Sequence, residues 1–310
     1  MGTKYDMLKS PSIGRRLFNR KGNSMNLCDI GDIKSLLGRH GFRFSKSMGQ
    51  NFLIADWVPK EIVAASDCDQ ECGVLEIGPG IGSLTAQLAG HAGRVVAVEL
   101  DHTLLPILDE TMAGTHNVEI VQGDILKLDI SELVNEKLGG LRPLACANLP
   151  YNITTPALSA LLDAKRFESI TVMIQREVAQ RICAAPGTEE YGAFSVFCQY
   201  HAKCSLLFDV PAQCFFPMPK VTSAVVQMVP RQTPPEEVED GALFFQVVRA
   251  SFAQRRKTLL SGLLSVFGSR CSRDALRQII ESCGLPGDVR GERLGIPEFA
   301  AISNKLKNEL

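Results

Sequence analysis

The stretch Val74-Leu75-Glu76-Ile77-Gly78-Pro79-Gly80-Ile81-Gly82-Ser83 decides how this chain folds. An apolar strand pattern runs straight into a glycine-rich turn, and a helix is predicted to begin near Ser83. Glycines at such a strand-to-helix turn let the backbone approach a ligand closely at a helix N-terminus. The obvious competitor is a dinucleotide fingerprint, which needs the spacing G-x-G-x-x-G/A. The spacing here is G-x-G-x-G, with Pro79 inside and Thr85 beyond, so NAD is disfavoured.

Working outward, the next two strands end in acids. Glu99 closes the second, where a carboxylate can accept both hydroxyls of a ribose. Asp124, followed by Ile125, closes the third, where it can accept from an adenine amino group. A glycine turn and two acids at three successive strand ends form the layout of an adenosyl ligand lying across the reversal of strand order. Taken singly, each acid could equally be a helix cap. At the end of the fourth strand stands Asn148-Leu149-Pro150-Tyr151. An adenine amino nitrogen is a poor nucleophile because its lone pair is delocalised into the ring. Two acceptors, the Asn148 side-chain oxygen and a neighbouring backbone carbonyl, can bind both N–H bonds and favour the pyramidal nitrogen of a methyl-transfer transition state. Pro150 stiffens the turn, and Tyr151 offers a face for an extruded base.

Short apolar runs at Gly73–Ile77, Arg94–Leu100, Val118–Gln122, Leu144–Ala147 and Ile170–Ile174 alternate with helical segments such as Leu84–Ala89 and Pro156–Ala164. This β-α alternation predicts an α/β fold with a parallel, doubly wound, Rossmann-like sheet. Leu206–Val210 and Val221–Val229, separated by a Pro-rich turn, are expected to add an antiparallel hairpin at its end. The expected organisation is a basic flexible extension over 1–25, a catalytic domain over 26–230, a Pro- and acid-rich linker over 231–240 and a small helical domain over 241–310. Met25 is a candidate alternative start.

The 310 residues are 45% hydrophobic, enough for a full core and a second, smaller one. No apolar run is long enough to span a bilayer and no secretory signal opens the chain, so a cytoplasmic protein without membrane contact is expected. Ten cysteines are scattered without any C-x-x-C pair, which reads as reduced thiols and no metal site. Residues 1–47 carry ten Lys and Arg against three acids (net +7), residues 48–240 twelve against 25 (net −13), and residues 241–310 eleven against six (net +5). Basic flanks around an acidic centre fit a catalytic body that grips a polyanion with its edges. Uneven surface charge alone would look the same.

Several segments taken in order resemble the KsgA/RsmA family of ribosomal RNA adenine dimethyltransferases, which have the class I S-adenosylmethionine-dependent methyltransferase fold. They are Lys46–Leu53 (KSMGQNFL), Glu76–Gly82 (EIGPGIG), Asn148–Tyr151 (NLPY), Phe215–Val221 (FFPMPKV) and Arg255–Leu259 (RRKTL). The resemblance implies S-adenosylmethionine as methyl donor, held by Gln50, Asn51, Leu53, Gly78, Gly80, Glu99, Asp124, Ile125 and Asn148. It also implies that Phe215, rather than Phe216, packs on the target base, and that Arg255, Arg256 and Lys257 contact phosphates. The implied substrate is a pair of neighbouring adenosines near the 3′ end of 16S rRNA in the small ribosomal subunit, each receiving two methyls; a monomer is the default. The rival readings are an Erm-type large-subunit rRNA methyltransferase and a non-catalytic assembly factor.

Overall fold

The computed structural model describes residues 25–45 and 48–310. The extension over 1–24, with Lys46 and Ser47 of the first motif, lies outside the described residues.

The chain begins with helix α1 (Ile30–Arg39), capped by the Asp29 carboxylate, which accepts from Gly31 and Asp32 N–H. A two-residue strand β1 (Phe52–Leu53) and helix α2 (Trp57–Ala65) follow. Then the β-α alternation sets in: β2 (Cys72–Ile77), α3 (Ser83–His91), β3 (Arg94–Glu99), α4 (Leu105–Met112), β4 (Val118–Gln122), α5 (Ile130–Leu138) and β5 (Arg142–Asn148). Helix α6 (Thr154–Ala164), β6 (Ser169–Gln175), α7 (Arg176–Cys183) and α8 (Ala193–His201) lead to the long strand β7 (Ala202–Val210). After it come β8 (Phe215–Phe216), β9 (Ser223–Pro230) and the helices α9 (Gly241–Phe252), α10 (Leu259–Phe267), α11 (Arg273–Ser282) and α12 (Ile296–Lys307).

The main sheet has the order β4-β3-β2-β5-β6-β9-β7, parallel from β4 to β6. Strand β2 is buried at every position, as a central parallel strand covered by helices on both sides must be. Leu75 and Ile77 join one core with β3, α5 and α6, while Cys72 and Val74 join another beneath α2 and α3. After β4 the chain returns to lay β5 on the other side of β2, so the strand order reverses between β2 and β5. A crevice opens there at the carboxyl ends.

The hairpin differs in detail from its sequence expectation. Strand β9 inserts antiparallel between β6 and β7, and the connection from β7 carries β8, which leaves the main sheet to pair antiparallel with β1. Leu53 thereby faces Phe215 in register, and Phe52 faces Phe216. This small sheet ties the N-terminal segment to the connection between β7 and β9.

Helices α9 to α12 gather around a further core cluster, centred on Phe244, Phe267 and Phe299, which also takes in Ala184, Tyr191 and Val196 from the α7–α8 region. Tyr191 Oη donates to the Leu294 carbonyl at 2.9 Å, stitching the two parts together. All ten cysteines are free thiols, as read from the sequence. Among the described residues no helix is long and apolar enough to cross a membrane.

Gly262 sets how closely α10 lies on α9: a Cβ there would stand 2.4 Å from the Ala250 carbonyl oxygen, a backbone atom that cannot rotate away. Gly262→Ala is therefore expected to destabilise the protein by about 1–3 kcal/mol. A urea titration showing an unshifted midpoint would contradict this close-contact reading.

Candidate active site

One cavity occupies the crevice at the carboxyl ends of β2 to β5. Its lining includes the residues expected to hold the donor, Gln50, Asn51, Leu53, Gly78, Gly80, Glu99, Asp124, Ile125 and Asn148, together with Leu149, Pro150 and Tyr151.

Its floor is the glycine turn. Gly78, Gly80 and Gly82 have φ of 68°, 62° and 91°, in the left-handed region that other residues avoid. Gly78 also faces Pro150: a Cβ at Gly78 would lie 3.6 Å from the Pro150 Cδ. That is an ordinary contact distance, so it is the left-handed backbone, not lack of room, that calls for glycine here.

Glu99, 6% exposed, holds the rim of this floor. One carboxylate oxygen accepts from Gly80 N–H at 3.2 Å and the other from Asp101 N–H at 2.8 Å. Burial still pushes its carboxyl above the usual range, against the pull of those two amides. Asp101 accepts a 2.6 Å hydrogen bond from Gln50 Nε2 and, through its other oxygen, bonds from the Thr103 amide and hydroxyl. The N-terminal segment is thereby fastened over the end of β3. Asp124 is half-buried, and one of its oxygens accepts from Leu126 N–H at 3.1 Å.

On the opposite wall, Asn51 Nδ2 donates to the Gly49 carbonyl at 3.0 Å, and Asn148 Nδ2 donates to the Asn51 carbonyl at 3.4 Å. With its amide nitrogen turned toward Asn51, Asn148 keeps its side-chain oxygen as an acceptor. Leu149 turns only its backbone to the cavity side, for its side chain is 1% exposed in the core, and its N–H donates to the Met173 carbonyl. The Pro150 carbonyl already accepts from Ile153 N–H and the Thr154 hydroxyl. Tyr151 is half-buried, its ring fixed by a 2.7 Å hydrogen bond between its hydroxyl and that of the fully buried Ser223.

Two expectations need correcting. Phe215 does not line the cavity: it is 2% exposed and packs with Leu53, Val58 and Val225 beneath the β1–β8 pair. Successive side chains on a strand point to opposite faces, so it is Phe216 that stays half-buried on the outer side. Arg255 is also not a free cation. Its guanidinium pairs with Glu292 at 3.2 Å and donates to the Thr188 and Glu189 carbonyls, clamping the α9–α10 loop to the α7–α8 loop. Arg256 and Lys257 are exposed in the same loop.

The sequence reading missed Glu76 as a site residue. It lines the cavity, is 1% exposed, and its Oε2 has no hydrogen-bond partner among the described residues. Burial, with the nearby Glu99 carboxylate, pushes its carboxyl up to about 8. The available signal was an acid inside an otherwise apolar buried strand. Asp101 was missed as well, although it lies two residues beyond Glu99.

Residues 41–285 match the family model of ribosomal RNA adenine dimethylase. The chain is 43% identical over 283 residues to "Ribosomal RNA small subunit methyltransferase A" of a Geobacillus species, covering 90% of this chain and 97% of that one. It is 46% identical over 276 residues to the protein of the same name from Bacillus cereus, covering 88% and 94%. Among solved structures it is similar to a dimethyladenosine transferase from Plasmodium falciparum, with a TM-score of 0.69 at 22% identity over 83% of this chain and 98% of that one. It also resembles the 23S rRNA methyltransferase ErmE, with a TM-score of 0.60 at 24% identity over 83% and 99%. These likenesses show the class I S-adenosylmethionine-dependent methyltransferase fold. The family match and the curated relatives, both spanning most of the chain, show that this protein belongs to the ribosomal RNA adenine dimethylase family of methyltransferases.

Proposed function

We propose that this enzyme transfers methyl groups from S-adenosylmethionine to the exocyclic nitrogens of two neighbouring adenosines near the 3′ end of 16S rRNA, placing two on each. The observation that carries this reading is the placement of Asn148, its amide anchored on Asn51, in the same cavity as the glycine turn and the fixed Tyr151 ring.

The residues present fit the donor. Gly78 and Gly80 allow close backbone approach, Glu99 offers acceptor lone pairs to ribose hydroxyls, Asp124 and Ile125 face the adenine end, and the unpartnered Glu76 oxygen awaits a cationic or hydrogen-bonding group. Gln50, Asn51 and Leu53 close the cavity from the N-terminal side. When bound, the donor supplies a methyl carbon made electrophilic by its sulfonium.

This chain's own part is to make the amino nitrogen receptive. The Asn148 side-chain oxygen accepts one N–H and the Leu149 carbonyl the other, since the Pro150 carbonyl is already engaged. These two acceptors stabilise the nitrogen as it becomes pyramidal and cationic. The proton leaves after transfer, so no general base is needed. Tyr151 gives the extruded base a rigid face to stack on, its hydroxyl held by Ser223.

Replacing Asn148 with Ala should lower methyl transfer to unmethylated small subunits by about 100-fold or more while particle binding is retained. Mass mapping of 16S rRNA after incubation with labelled donor checks this, and undiminished dimethyladenosine formation by the variant would refute the mechanism. For the α9–α10 loop, Arg256→Ala and Lys257→Ala should each weaken particle binding and flatten its dependence on log salt by about one unit, because each removes one phosphate contact. Filter binding across a salt series reads the slope.

Glu76 carries a pH signature. Its folded-state pKa of about 8 lies above the ordinary 4.5, so between these values the native state holds a proton that the unfolded chain has lost. Stability contributed by this group is therefore fully present below the ordinary value and lost as pH rises through about 8. Glu76→Gln, permanently neutral, should gain thermal stability over the parent on going from about pH 5 to about pH 8. A Tm difference that stays flat across that range would contradict a protonated Glu76.

A further inference from the structure

Four phenylalanines meet beside the active-site cavity. Phe44 lies edge-on to Phe42 at 5.5 Å and to Phe216 at 5.5 Å, and is tilted against Phe52 at 5.4 Å between ring centroids. Phe52 itself lines the cavity, and its ring is the nearest neighbour a Cβ at Gly80 would meet, at 3.3 Å. The group is thus continuous with the floor of the site. Three ring contacts fix Phe44, yet it remains 37% exposed. Lys34 Nζ lies 5.2 Å from the Phe216 ring centroid, and the segments that carry the two rings also bear exposed cations, Arg43 next to Phe44 and Lys220 four residues after Phe216.

A rigid, partly exposed aromatic ring among cations is costly to leave facing water and suits one kind of occupant. Nucleic-acid bases stack on such rings regardless of sequence, while neighbouring cations take up the phosphates. A peptide or lipid occupant would use the apolar faces but not explain the three cations. We infer that Phe44, backed by Phe216 and flanked by Lys34, is a stacking seat for an unpaired RNA base adjacent to the adenosine that enters the cavity. This rests on the RNA-methylating reading above and adds a second contact point for the same strand. The seat would hold the strand while the target base is extruded, so it acts on RNA binding and not on the reacting atoms.

The test uses the full chain and an RNA oligonucleotide carrying 2-aminopurine beside the target adenosine. Phe44→Leu should weaken RNA binding and raise the KM for RNA about tenfold, the size expected for one base–aromatic stack. The kcat at saturating RNA and the affinity for S-adenosylmethionine by calorimetry should stay at parent values, and Phe44→Trp should restore RNA binding. Quenching of the 2-aminopurine by the parent should be lost in Phe44→Leu. Lys34→Gln, which leaves the ring cluster intact, serves if Phe44→Leu fails to fold; it should weaken RNA binding in a salt-dependent way. Unchanged RNA affinity in Phe44→Leu and Lys34→Gln overturns the seat, and so does a loss of donor affinity matching the loss of RNA affinity, which would make the ring a wall of the donor cavity. If the parent methylates neither this RNA nor unmethylated small subunits, the wider functional reading fails; if it methylates either and the variants match it in RNA binding, only the seat fails.

Discussion

The reversal of strand order between β2 and β5 is the constraint on which the site depends. Because β3 and β4 are laid on one side of β2 and β5 and β6 on the other, the segments leaving the carboxyl ends of β2 and β5 diverge in direction. No backbone can fill the gap between them, and a crevice results. The turn after β2 runs through the left-handed region at Gly78, Gly80 and Gly82, which is why glycines stand there opposite Pro150 of the β5 turn. The β1–β8 pair completes the enclosure by pinning residues 48–53 over the opening.

Within that crevice the acids are not equivalent. Glu99 and Asp101 are buried but supplied with donors: the Thr103 and Gln50 bonds hold Asp101 below the usual carboxylate range, while two amides only partly offset burial at Glu99. Glu76 is more deeply buried and one of its oxygens finds no donor. An uncompensated buried carboxylate is expensive, and the group responds by holding its proton well above the ordinary range. Such a deficit lies in the wall of the cavity, where the fold leaves one acceptor unpaired among the described residues.

The basic motif of the C-terminal part shows how adjacent cations divide their work. Arg255 is consumed by Glu292 and two carbonyls from another loop, which makes it part of the scaffold. Its neighbours Arg256 and Lys257 face solvent. A run of like charges in sequence carries no information on which members fold back, because that depends on where a distant carboxylate or a loop carbonyl happens to lie. The same limit applied to the paired aromatics. Nothing in the order Phe215-Phe216 says which face of the short strand is turned to the core, and pairing with β1 settles it by setting Phe215 opposite Leu53 and burying both.

Local chemistry therefore made the sheet and the cavity at the carboxyl ends of its strands legible. Short apolar runs, the G-x-G-x-G turn, acids ending β3 and following β4, and the Asn148–Tyr151 turn each depend on residues close in sequence, and together they located the crevice and most of its lining. The connection between β7 and β9, the burial of Phe215, the anchoring of Arg255 and the orphaned oxygen of Glu76 were decided only by tertiary structure. Each depends on groups tens to hundreds of residues away in sequence, whose proximity is a consequence of packing: burial, and with it the cost of an unpaired charge or the availability of a ring face, is a property of the folded surroundings and not of the residue.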